Sequence, residues 1–84
     1  MAIRIKAAEP LPNFIIRLTW ANGVVNIVDL SDVVADNPVY APIKDDPALF
    51  GTVSVGEWGY DLHWSDDMEI PCTWLWDRAQ AQAA

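Results

Sequence analysis

Hydrophobic and polar positions alternate from the first residues onward. Ile3, Ile5 and Ala7 alternate with Arg4 and Lys6, which predicts a half-buried strand over residues 3–7, ended by Pro10 and Pro12. Residues 14–20 and 24–29 then flank Asn22-Gly23. Both turn residues tolerate positive φ, so the pair predicts a hairpin with a type I′ turn. Such a turn pairs Ala21 with Val24, Trp20 with Val25 and Leu18 with Ile27. Ile16, Leu18 and Trp20 would then share the inner face with Val25 and Ile27.

The middle of the chain changes period. Asp29 is placed to cap a short helix through Leu30, Val33 and Val34, which Asn37-Pro38 stops. Tyr40, Pro42 and Ile43 read as an extended crossing. In Asp46-Pro47-Ala48-Leu49-Phe50-Gly51 the aspartate caps and the proline opens a single helical turn, with Leu49 and Phe50 plugging one end of the core. A second hairpin is expected between residues 52–55 and 60–64 across Gly56-Glu57-Trp58-Gly59, pairing Val55 with Tyr60 and Val53 with Leu62. A short strand at 68–70 and a helix from Pro71, with Cys72, Leu75, Trp76 and Ala79 at helical spacing, complete the pattern. The prediction is a two-layer α+β fold: two antiparallel β-hairpin units, a short middle helix and a C-terminal helix. Residues 1–79 form a single domain in this reading, and 80–84 extend the helix or fray.

Composition narrows the function classes. Eighty-four residues hold one modest core, and a lone cysteine rules out an internal disulfide. Five tryptophans and a 52% hydrophobic fraction suit an aromatic core or self-association. A homodimer, a protein partner or both are therefore expected. Neither a signal peptide nor an apolar run long enough for a bilayer is read, so the expected location is cytoplasmic, with no membrane contact. The net charge of −7 is uneven: residues 1–30 carry Arg4, Lys6 and Arg17 against Glu9 and Asp29, whereas residues 31–84 carry ten acids against Lys44 and Arg78. Phosphate binding requires a basic footprint, so this balance argues against direct nucleic-acid binding. An acidic face suits a basic protein.

Asp29-Leu30, the segment ending Leu49-Phe50, Val53-x-Val55-Gly56-Glu57-x-Gly59-x-x-x-x-Trp64 and then Leu75-Trp76 resemble the DUF2442 family, small bacterial proteins of unknown function, from about Ile3 to Ala79. Thr73-Trp74 departs from the small and acidic residues common there in relatives. The resemblance implies a compact α+β domain and supplies no catalytic residues. Relatives fused to a helix-turn-helix segment, or resembling partners in toxin–antitoxin-like gene pairs, imply a regulatory, sensor or antitoxin-like module. This chain is read as too short to hold that DNA-binding segment as well.

No nucleophile elbow, phosphate loop or paired-cysteine motif is present, so no enzyme activity and no cofactor are expected. His63 and Asp61, two apart on one strand face, could form a base and its orienter, but no nucleophile is identifiable beside them. Asp61, Asp66, Asp67 and Glu69 offer oxygens to a hard cation without the spacing of a calcium loop, and no metal site is assigned. Cys72 reads as a small core residue. Trp20, Trp64 and Trp76 fall on core faces. Trp58, in a hairpin loop, and Trp74, off the helix stripe, do not. Local core packing is one reading of this pair; otherwise, with Glu57, Asp61 and His63, they form the candidate interaction set, either for a protein partner or as an aromatic-lined pocket for a small cationic ligand.

Overall fold

The computed structural model describes residues 3–83; Met1, Ala2 and Ala84 lie outside the described residues. Two three-stranded antiparallel sheets carry the architecture. The first contains β1 (Ile5–Leu11), β2 (Ile15–Trp20) and β3 (Val25–Asp29) in that order. Two short helices follow, α1 (Ser31–Asp36) and α2 (Ala41–Asp45). The second sheet contains β4 (Ser54–Val55), β5 (Asp61–Ser65) and β6 (Met68–Pro71), and α3 (Cys72–Ala83) closes the fold. The protein is therefore α+β, as the pattern predicts, with each predicted hairpin enlarged by a third strand.

β1 is longer than its prolines suggest. Pro10 pairs with Ile16 inside the ladder, which is tolerable because β1 lies at the sheet edge, where alternate donors have no strand to meet. A register shift between Ile5 and Ala7 turns Ala7 outward and leaves Ile5 in the core.

The Asn22-Gly23 hairpin forms with its register one residue away from the predicted one. Thr19 faces Val25, Leu18 faces Asn26 and Ile16 faces Val28. Gly23 donates to the Trp20 carbonyl (2.9 Å), Trp20 donates to the Val24 carbonyl (2.8 Å), and Gly23 sits at φ 91°. The loop thus has three residues, with glycine in the left-handed position. Val28 is sealed in the core, whereas Val25 and Ile27 are 53% and 52% exposed.

The predicted extended crossing is helical instead. The Asn37 side chain accepts from Val39 N (3.1 Å), and Pro38 and Pro42 occupy opening positions of two consecutive helical turns, where a missing N–H costs nothing. The next turn, Pro47–Thr52, is capped by Asp46 as expected and buries Phe50, while Leu49 stays at the surface.

The second hairpin has a five-residue connection, 56–60, and Val55 faces Leu62 while Ser54 faces His63. Gly56 N donates to the Asp61 carbonyl (2.8 Å) across it. Trp58 at φ 64° and Gly59 at φ 78° lie within it. Gly59 abuts β1 so closely that a Cβ would lie 2.4 Å from the Ile5 carbonyl oxygen.

One core joins both sheets. Ile16, Leu18, Trp20, Val28, Leu30, Ile43, Leu62 and Leu75 are fully buried, and Cys72 is buried among them, as its helical spacing indicates. Trp76 meets Trp20 edge-on at 5.1 Å, and Trp64 packs between Tyr40 and Phe50. The end of α3 is fastened to β3 and α1. Gln82 accepts from Asp29 N (2.9 Å) and donates to its carbonyl (3.0 Å), and Arg78 donates to the same carbonyl (3.1 Å) and pairs with Asp32.

Candidate functional site

Helix α1, the turn after it, β6 and the first turns of α3 enclose an open groove of about 580 Å³. Trp74 stands on its α3 wall, 40% exposed. It stays at the surface because Leu75 and Ala79 take the core-facing stripe of the helix. Arg78, one turn later, holds its guanidinium carbon 5.2 Å from the Trp74 ring centroid while pairing with Asp32. Asp36 and Glu69 also line the groove. Of these carboxylates only Asp32 pairs with the guanidinium, while that of Glu69 turns to His63. The floor includes Tyr40, whose hydroxyl donates to the Glu69 carbonyl (3.3 Å) and whose burial pushes its pKa up.

The electrostatics of this wall follow from direct donors. The Arg78 guanidinium holds the Asp32 carboxyl below the usual carboxylate range. Asp29 is held down as well, chiefly by the Ser31 side chain and then by the Ser31 N–H, which reaches its Oδ1 at 2.8 Å.

The five candidate residues do not form one site. Trp74 belongs to the groove. Trp58, 69% exposed, lies with Glu57 in the connection between β4 and β5, beside Tyr60. Tyr60 departs from the predicted inner face: it follows the left-handed Trp58-Gly59 pair, and its ring turns outward beneath Arg4, whose guanidinium carbon is 5.0 Å from the ring centroid. Asp61 and His63 share a face of β5 as the alternation indicates, but the partner of His63 is Glu69 across the ladder, with Nδ1···Oε1 at 3.0 Å. Asp66 and Asp67 form the turn between β5 and β6 and stay exposed, so the four carboxylates grouped by sequence divide, with Asp61 and Glu69 together beside His63 and the turn pair outside that group. Asp32, Asp36 and Arg78 were absent from the candidate set. Only Arg78 carries a sequence signal, as the residue one helical turn after a stray tryptophan; Asp32 and Asp36 come from α1, because the groove forms between elements distant in sequence.

The crystal structure of a "putative DNA binding protein" from Nitrosomonas europaea is similar to this chain over 96% of its length, at 32% identity and a TM-score of 0.86. The chain spans about half (51%) of that protein. This likeness overturns the expectation that direct nucleic-acid binding is excluded. The expectation rested on charge balance, which averages over many residues and does not describe the local field where Arg4 meets the exposed Tyr60 ring. No curated protein matches the sequence. Among the described residues, no helix is long and apolar enough to cross a membrane. The model of the family described as "Protein of unknown function (DUF2442)" matches residues 5–81, and with that coverage the chain belongs to the DUF2442 family.

Proposed function

We propose that this domain is a regulatory protein-interaction module, not an enzyme, and that it receives a basic segment of a protein partner in the groove beside Trp74. The observation that carries this reading is the chain's own Arg78, which stacks on the Trp74 indole and pairs with a carboxylate of the groove. A guanidinium already occupies the kind of place a partner's arginine or lysine would take. Among the described residues Asp36 has no cationic partner, so the groove retains uncompensated negative charge. The groove is open to solvent, which suits a chain segment better than an enclosed metabolite. The test is titration of a hexa-arginine peptide followed by tryptophan fluorescence. Trp74→Ala and Asp36→Asn should each weaken binding several-fold, from the loss of about 1 kcal/mol. Asp66→Asn, in the remote turn, should change it little. Equal effects from all three would mean non-specific attraction and would refute the groove.

A second reading is direct DNA contact through Arg4, Tyr60 and Trp58. It is favoured by the likeness to the Nitrosomonas protein and by the Arg4 guanidinium over the exposed Tyr60 ring, two residues from the exposed Trp58. Fluorescence anisotropy with labelled single- and double-stranded DNA at low salt tests it. Loss of binding in Arg4→Ala and Trp58→Ala together, with Trp74→Ala unaffected, would support this face over the groove.

A further inference from the structure

The outer face of the second sheet gathers Asp61, His63 and Glu69, with one potential ligand atom from each lying within 4.8 Å of the others. We propose that these three side chains form a binding site for a borderline divalent transition-metal ion, with Zn²⁺ as its representative. The donor set is an imidazole nitrogen with two carboxylates, which suits such an ion better than Ca²⁺ or Mg²⁺, whose ligands are almost all oxygens. All three residues are carried by paired strands. Asp61 and His63 are two apart on β5, and Glu69 faces His63 from β6. The 3.0 Å between His63 Nδ1 and Glu69 Oε1 is close to the separation of two ligands bound to one ion at about 2.0–2.2 Å each. The ion would take the place of the proton these two atoms share, and water or a partner's side chain would complete its coordination.

A second feature fixes the third ligand. The Asp61 carboxylate occupies the space where a side chain at Gly56 would begin: a Cβ there would lie 1.7 Å from Asp61 Oδ1. Glycine at 56 thus allows the carboxylate to lie back over the end of the hairpin, within reach of His63. Any larger residue must push Asp61 away, although the backbone of the hairpin need not move.

His63 is the single histidine of the chain, so its ring resonances report on this site alone. The experiment titrates untagged protein with ZnCl₂, following the His63 ring by nitrogen-15 correlation NMR and the heat by calorimetry. Saturable one-to-one binding that perturbs the His63 ring is expected. His63→Ala and Glu69→Gln should each weaken it by about tenfold or more. Gly56→Ala, which keeps every ligand but displaces one, should also weaken it, while Asp66→Asn with Asp67→Asn leaves it intact. Thermal unfolding without metal establishes that each variant is folded. Zn²⁺ binding that survives His63→Ala, or that is lost with the turn aspartates alone, would overturn the site, as would no heat and no ring perturbation.

Discussion

Trp58 combines an exposed indole with a left-handed backbone at φ 64°, a conformation that costs a residue with a Cβ about 1–2 kcal/mol. Nothing in the core recovers that cost, because the ring is 69% exposed. Replacing it by glycine should therefore raise stability by up to about 1 kcal/mol, less the extra freedom gained by the unfolded chain. A higher urea midpoint for Trp58→Gly would show it, and an unchanged or lower one would mean that ring contacts offset the strain. The sequence left Trp58 and Trp74 open between local packing and the surface, one standing in a loop and the other missing the apolar stripe of its helix, and the structure exposes both. The outward turn of Tyr60 was not legible there. Simple alternation cannot anticipate two successive residues at positive φ, and these reset the faces before β5 begins.

At the scale of elements, the first hairpin shows how a correct turn signal yields a shifted register. Asn-Gly fits a two-residue loop, and placing Val25 and Ile27 inward maximises buried aliphatic residues on that strand. The structure instead turns Asn26 toward Trp20, whose Nε1 donates to the Asn26 side chain at 2.8 Å. A buried indole N–H needs an acceptor, and satisfying it outweighs one additional apolar contact. The clamp between α1 and α3 was equally hidden, since Arg78 and Asp32 meet only after the fold closes. Its pH dependence follows from the lowered pKa values of Asp29 and Asp32. The unfolded chain takes up these protons first, at about pH 4, so the stabilisation is complete above that value and is lost as the pH falls through the lower folded values. Both carboxylates are exposed, and the loss should be under about 1 kcal/mol. Urea midpoints at pH 6 and pH 3 should differ less in Asp32→Asn than in the wild type.

For the whole molecule, composition and periodicity were enough to read an α+β class, while the joining of the two sheets was not readable. It depends on contacts such as Gly59 against Ile5, where a Cβ cannot be accommodated beside the strand backbone. The same scale separates the three surfaces of interest. The groove and the Asp61–His63–Glu69 cluster share Glu69, whereas the Arg4–Tyr60 face stands apart.

Gln82 has a further consequence. Its side-chain amide occupies the peptide donor and acceptor of Asp29, as a residue of a fourth strand would. β3 is an edge strand whose exposed aliphatic side chains, Val25 and Ile27, would favour intermolecular strand addition. The amide thus leaves Asp29 no free edge group for an incoming strand. Gln82→Ala should leave the monomer almost as stable yet shorten the lag before fibrils form at high concentration, measured by thioflavin fluorescence. An unchanged lag would locate the protection elsewhere along the strand.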